Sequence, residues 1–366
     1  MAVSKKLKSI YMGFFDGTET FVANRIEVFL EKRSLRKNID KTGKLTKEQV
    51  SRIKQYWKPY HKVSTKWAQY YYCKNGLFDP RYIPNTLYYT KIDQHFNSRK
   101  LGYGFNDKNY YSKIFDGIRQ PRILVRKVNG IVLNENYELM TVAEAMEKIS
   151  MYDEVICKPS QESGSGRGIQ FYKKTEKMDV EKFLRNPDYD NYVVQSLLSQ
   201  HPDLDKIHAG SVNCIRICSI LFDDGVYILS SVLRMGFGNS KVDNATAKDN
   251  SEFDGMSCGI DENGRLKKYA YGYNMGNRME QHPDGVIFEG YQIPSYDKAV
   301  ALVKKCHPRI GNFRLVSWDI AIDSEGEPVL IEANMRKGGI NFHQFNNGPL
   351  FGELTDRVLQ EVFWKK

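Results

Sequence analysis

Apolar positions recur at helical spacing in the first hundred residues and in alternating or continuous runs after them. In FVANRIEVFLEKR, Phe21, Ile26, Phe29 and Leu30 share one helical face. LTKEQVSRIKQYWKPYHKVSTKWAQYYY reads as a second helical stretch, broken at Pro59, with Thr46 and Gln49 spaced as a capping box. NDKNYYSKIFDGI predicts a short helix capped by Asn106 or Asp107. RILVRKV and GIVLNE predict a hairpin turning at Asn129-Gly130, and TVAEAMEKI a helix. EVICKP predicts a buried strand stopped by Pro159, followed by a glycine loop and a further strand. YVVQSLL, SVNCIRICSILF, VYILSSVLRMG and FRLVSWDIAI are rich in β-branched residues and read as strands. Turns are expected at Asp224-Gly225 and Asn263-Gly264, and LFGELTDRVLQEVFW closes the chain as a helix. The whole predicts an α+β protein with large antiparallel sheets and a mainly helical N-terminal segment.

Length and charge sharpen this picture. A chain of 366 residues predicts more than one lobe. No apolar run reaches the ~18 residues of a membrane span. The N-terminal stretch lacks the apolar core and cleavage site of a secretory signal, so a cytoplasmic protein is expected. Six cysteines without zinc or CxxC spacing are expected as buried free thiols. Net charge is +10, and residues 1–100 hold 21 basic against 8 acidic residues. All the excess therefore lies there. It fits either a solvated helical face or attraction to an anionic partner. Without a nucleic-acid motif beside it, nucleic acid is not expected, and Tyr70, Tyr71 and Tyr72 are expected to pack between lobes rather than stack bases.

Two segments carry chemistry. In WDIAIDSEGEPVLIEAN, a turn at 324–327 pairs Asp323 with Pro328 and hence Asp319 with Glu332. Alternation then places Asp319, Leu330, Glu332 and Asn334 on one face, and Trp318, Ile320 and Ile322 toward the core. Two carboxylates and an amide oxygen are hard ligands suited to Mg²⁺, although a salt-bridged hairpin face gives the same pattern. In EVICKPSQESGSGRGIQFY, a strand delivers Lys158 to a loop containing Gly164, Gly166 and Gly168. Such a loop lets the backbone approach a phosphate, or is simply flexible. It matches neither a P-loop nor a dinucleotide fingerprint.

The order Asp107-Lys108, VICKP, glycine loop, YVVQSLL and DIAI…LIEAN resembles the ATP-grasp enzymes. SVNCIRI, LRMGFGNSKVDN, HPDGVIFEGYQIP and VSWDIAI…IEAN resemble the sugar-transfer associated ATP-grasp family, linked with surface polysaccharide synthesis. The resemblance covers about residues 105–345. It implies an ATP-grasp fold of two α+β lobes clamping ATP. The domains expected are a basic helical region over 1–104 and an ATP-grasp domain over 105–366, with a lid at about 140–198 and a catalytic part at about 199–366.

The same resemblance implies roles. Lys108 and Lys158 are the ATP lysines. Ser163, Gly164, Ser165, Gly166, Arg167 and Gly168 form the lid loop over the phosphates. Gln195, Ser196, Leu197 and Leu198 form the adenine hinge, with Gln195 where a Glu is common. Asp203 or His201 is a ribose contact, or else a loop cap. Asp319, Glu332 and Asn334 bind two Mg²⁺ ions. Ser317 stands where D-alanine ligases carry an Arg, which leaves Arg216 and Arg234 to reach the γ-phosphate or acceptor carboxylate, or to pair with a carboxylate structurally. Asn213 and Asp243 are expected near the cleft. The implied activity is an ATP-dependent carboxylate–amine ligation in capsular polysaccharide synthesis, releasing ADP and phosphate. A sugar kinase and a non-catalytic partner of a glycosyltransferase are the alternatives. The expected partners are an acidic saccharide or amino-acid substrate, a glycosyltransferase, or the inner membrane surface.

Overall fold

A computed structural model of the chain describes residues 22, 24–36, 39, 43–161, 168–243, 255–272 and 278–364. Phe21, Lys5, Lys6, Lys8 and Lys37 of the basic segment, and residues 163–167 of the glycine loop, lie outside them. The chain divides into two compact units: residues up to Phe96 together with Gly348–Lys366, and Asn97–Asn347. The boundary read from the sequence at 104/105 thus falls inside the second unit, and the C-terminal helix belongs with the first.

The first unit is helical, built on Lys47–Trp57, Lys66–Asn75 and Thr355–Phe363. Thr46 and Gln49 form the expected capping box. Tyr70 and Tyr71 are fully buried in this unit's own aromatic core, beside Trp67 and Tyr82, with Tyr71 stacked on Tyr82 at 4.9 Å. Helical spacing turns them inward with Trp67.

The second unit holds two antiparallel sheets. The first has the order β2-β1-β5-β3-β4, from β1 (Ile123–Val128), β2 (Ile131–Leu133), β3 (Glu154–Pro159), β4 (Gln170–Lys173) and β5 (Tyr192–Ser196). Asn129 and Gly130 both adopt positive φ, as the tight β1–β2 turn requires. Helices Val142–Ile149 and Lys177–Arg185 cover one face, burying Val125, Val155, Cys157, Phe183 and Val194.

The second sheet has the order β10-β9-β8-β7-β6-β11-β12. Its strands are β6 (Cys214–Phe222), β7 (Gly225–Met235), β8 (Met256–Ile260), β9 (Leu266–Gly272), β10 (Arg278–Met279), β11 (Leu315–Ile322) and β12 (Pro328–Asn334). The β6–β7 turn is Asp223-Asp224, because Phe222 pairs with Gly225. One face packs on helix Tyr296–Cys306 through Ile217, Leu233, Val303, Trp318 and Ile320. The other carries polar residues. All six cysteines are free and five are buried, Cys73 being partly exposed. No helix among the described residues is long and apolar enough to cross a membrane.

Candidate active site

The β11–β12 hairpin organises the site, with one departure from simple alternation. Near the turn Ile322 pairs with Pro328, not Asp323 with Pro328, so the first register differs by one residue from the expected one. A bulge between Asp319 and Ile320 then restores the expected pair, Asp319 opposite Glu332. Leu330 therefore faces Ile320 and joins the apolar core instead of the polar face. Asp319, Glu332 and Asn334 remain together.

Asp319 is buried and lies directly across the ladder from Arg216 of β6. Arg216 donates Nε to Asp319 Oδ1 at 2.6 Å and Nη2 to Oδ2. Arg234 of β7 reaches Oδ2 at 3.3 Å and turns its other arm to Asp243 Oδ1, also at 3.3 Å. Burial alone would raise the Asp319 carboxyl, but Arg216 and Arg234 outweigh it and hold it below the usual carboxylate range. Asp243 moves the opposite way: burial raises it, and Arg234 offsets only part. Asn213, expected near the cleft, is a brace. Its amide donates to Leu204 O and His208 O and its backbone to Gln200, fixing helix Pro202–Ile207 beside β6.

Beside this cluster stand two lysines. Asp107 caps Asn109 and also accepts from Gln161, while Lys108 N donates to Ser160 O, so the 107–110 turn is tied to the end of β3. Lys108 Nζ then donates to Glu332 Oε1 at 2.8 Å. Lys158 on β3 is buried, and its ammonium makes no hydrogen bond to a described residue. Burial, then the charge of Lys108, pulls it down from 10.5 to about 8.

The remaining expected residues are dispersed. Gly168 has φ +77, and a Cβ there would come within 2.8 Å of Pro159, so this glycine is needed for chain return. Gln195 is buried at the end of β5 with Oε1 unpartnered, Ser196 N donates to Arg122 O, and Leu197 is exposed beside partly buried Leu198. Asp203 accepts from Lys206 at 2.7 Å in the first turn of its helix, and His201 Nδ1 accepts from the Asp203 amide.

His343 escapes sequence reasoning. Asn347 Nδ2 donates to Ser230 Oγ, which lies 2.8 Å from His343 Nδ1. The Ser230 proton is thus best used on Nδ1, which leaves Nε2 carrying a buried, unpartnered N–H. Burial, then Arg216, pushes this imidazole down to about 3, so it is neutral. Arg216 also lies over the neighbouring Phe342 ring, 5.5 Å from its centroid. The only signal in the sequence is a histidine within the uncharged helix Asn341–Asn347.

The donor set fits Mg²⁺. Glu332 Oε2 makes no hydrogen bond to a described residue, and Asn334 spends Nδ2 on Ser317 O at 3.1 Å, which frees its oxygen. Asp319 is already engaged, with Oδ1 accepting from Arg216 and, at 3.5 Å, from Arg234, and Oδ2 from both arginines and, at 3.4 Å, from Asn334 Nδ2, so Glu332 and Asn334 offer the more open oxygens.

Two antiparallel sheets, a buried strand lysine before a glycine loop and an acidic terminal hairpin define an ATP-grasp arrangement. The family described as sugar-transfer associated ATP-grasp matches residues 88–360, and the chain belongs to it. No curated protein matches the chain in sequence. Among solved structures it is similar to the ATP-grasp ligase PsnB complexed with minimal precursor, Mg and ADP, at 13% identity and TM-score 0.42, covering 73% of this chain and 62% of that one. It is also similar to D-cycloserine synthetase DcsG, at 10% identity and TM-score 0.39, covering 69% and 70%. A third is L-amino acid ligase from Bacillus licheniformis, at 13% identity, TM-score 0.37 and 68% coverage. The chain spans about half the length of that ligase, 47%.

Proposed function

We propose that the protein is an ATP-dependent ligase that activates a carboxylate as an acyl phosphate and transfers it to an amine, in surface polysaccharide synthesis. The observation that carries this reading is Lys158. A buried ammonium with no hydrogen-bond acceptor among the described residues, beside a second lysine, is suited to an anion, and a nucleotide's phosphates meet that need. The family's sugar-transfer association supports a saccharide as one substrate.

In this reading Lys108 and Lys158 hold phosphate oxygens, and the hinge 195–198 receives the adenine. Glycines 164, 166 and 168, with Ser163, Ser165 and Arg167, close over the phosphates. Asp203 lies near the ribose. Asp319, Glu332 and Asn334 hold Mg²⁺, two ions by family precedent, and when bound these supply Lewis-acid stabilisation of the transferred phosphoryl group. Arg216 and Arg234 are fixed in orientation by Asp319 and Asp243, and their positive charge offsets charge developing on the reacting carboxylate.

Purified protein incubated with ATP, uronic acids and amino acids should release ADP and phosphate in equal amounts, with a product of amide mass. AMP with pyrophosphate would remove the acyl-phosphate route. ADP with a phosphorylated sugar and no free phosphate would make the protein a kinase.

A further inference from the structure

The helix of residues 24–36 in the first unit has two unlike faces. One is seated on its own unit: Leu35 is buried, Glu31 accepts from Asn85 at 2.9 Å, and Asn24 accepts from Gln94 at 2.7 Å. These positions, with Glu27 and Val28, recur every three or four residues and point one way. The opposite arc carries Val22, Ile26, Phe29 and Leu30, which are 54, 55, 63 and 51% exposed. Lys32, Arg33 and Arg36 are exposed on or beside the same arc. Both described glutamates of the helix, Glu27 and Glu31, lie on the seated side.

A solvated helix has no reason to place its largest apolar groups outward while keeping its acids inward. Four apolar side chains flanked by cations, with no described acid on that arc, match a surface that is apolar below and anionic above. The charge excess of residues 1–100 has the same sign. We infer that this helix face is a peripheral docking surface for an anionic lipid bilayer, with Phe29 and Ile26 entering the headgroup boundary and Lys32, Arg33 and Arg36 meeting lipid phosphates. This inference stands on the first unit alone and does not depend on the ligase reading.

The test is co-sedimentation of the full-length protein with vesicles of phosphatidylcholine alone and of phosphatidylcholine with phosphatidylglycerol. Binding is expected to the anionic vesicles only, and to weaken as salt shortens the Debye length to ~3 Å at 1 M. Reversing Lys32, Arg33 and Arg36 to Glu should lower partitioning about 100-fold or more, at roughly one kcal/mol per cation. Ile26→Ser with Phe29→Ser should also abolish it while leaving the melting temperature unchanged. A control, Lys304→Glu with Lys305→Glu, alters net charge on exposed lysines of the second unit and should change binding little. Absence of anionic-vesicle binding, or equal loss in the control, overturns the inference. So does a lipid-free dimer in sedimentation velocity that dissociates on Ile26→Ser/Phe29→Ser, which would assign the face to a second copy of the chain.

Discussion

Arg216 grips both oxygens of Asp319 from directly across the β6–β11 ladder, so the acid that heads the candidate metal face is already paired inside the protein. Neither charge is stable alone at that depth. Removing Asp319 leaves Arg216 desolvated without a partner and removing Arg216 leaves Asp319 to Arg234 alone, whereas removing both leaves a cavity with Arg234 still paired to Asp243.

Arg216→Ala should therefore destabilise the protein by about 3–5 kcal/mol. Arg216→Ala with Asp319→Ala should cost clearly less than the sum of the two single changes. Urea denaturation of the four proteins measures the coupling. Additive costs would show that Arg216 and Asp319 act independently.

Lys158 makes nucleotide binding pH-dependent. Its folded value of about 8 lies below the ordinary 10.5, so without ligand it loses its proton as pH rises through 8. Phosphates select the charged form. Affinity for ATP should be level below pH 8 and fall above it by about tenfold per unit, with proton uptake on binding. Protein stability without ligand should change the other way, rising between pH 8 and 10.5, because the unfolded chain binds the extra proton there. Calorimetry in buffers of different ionisation enthalpy detects the uptake, and Lys158→Met should remove it together with most of the affinity.

The sheets and the hairpin face were legible because β-branched runs and alternation are local signals. The bulge opposite Asp319 was not, because one extra residue, Ile331 inside PVLIEAN, leaves the apolar pattern intact while moving Leu330 to the other face. The same long-range ladder decides that Arg216 meets Asp319, and no spacing in the sequence encodes it. Asn213 read as a cleft residue but serves helix packing, since both roles need a buried amide. The grouping of Thr355–Phe363 with the first unit depends on contacts such as Tyr56 with Asp356 at 2.7 Å, three hundred residues apart.

Two buried histidines should set the acid limit of stability. His307 accepts from Ser219 on Nδ1 and donates Nε2 to Phe313 O, and burial lowers it to about 4. His343 lies lower still, at about 3. Both are neutral in the fold, and the unfolded chain takes up protons on them near 6.5. Stability is then constant from these groups above pH 6.5 and falls as pH drops below it, with a slope approaching two protons. The urea midpoint measured between pH 7 and 5 should decline, and His307→Gln with His343→Gln should flatten that decline. An unchanged slope in the double variant would assign the acid sensitivity to other groups.

Glu332→Gln separates chemistry from architecture. The carboxamide keeps the size of the side chain, and its Oε1 still accepts from Lys108, so the turn at 107–110 stays docked. It loses the negative charge and one of the two oxygens that suit a hard cation. Turnover should fall at least ~100-fold, as for loss of a preorganised electrostatic contact in a buried site. The circular dichroism spectrum should be nearly unchanged, with a fall in melting temperature because buried Lys108 keeps a hydrogen bond but loses its counter-charge. The free variant should also lose the dependence of ATP affinity on Mg²⁺ concentration, a readout independent of turnover. A folded Glu332→Gln protein with full activity and unaltered Mg²⁺ dependence would take Glu332 out of the metal face and leave it as the anchor of Lys108.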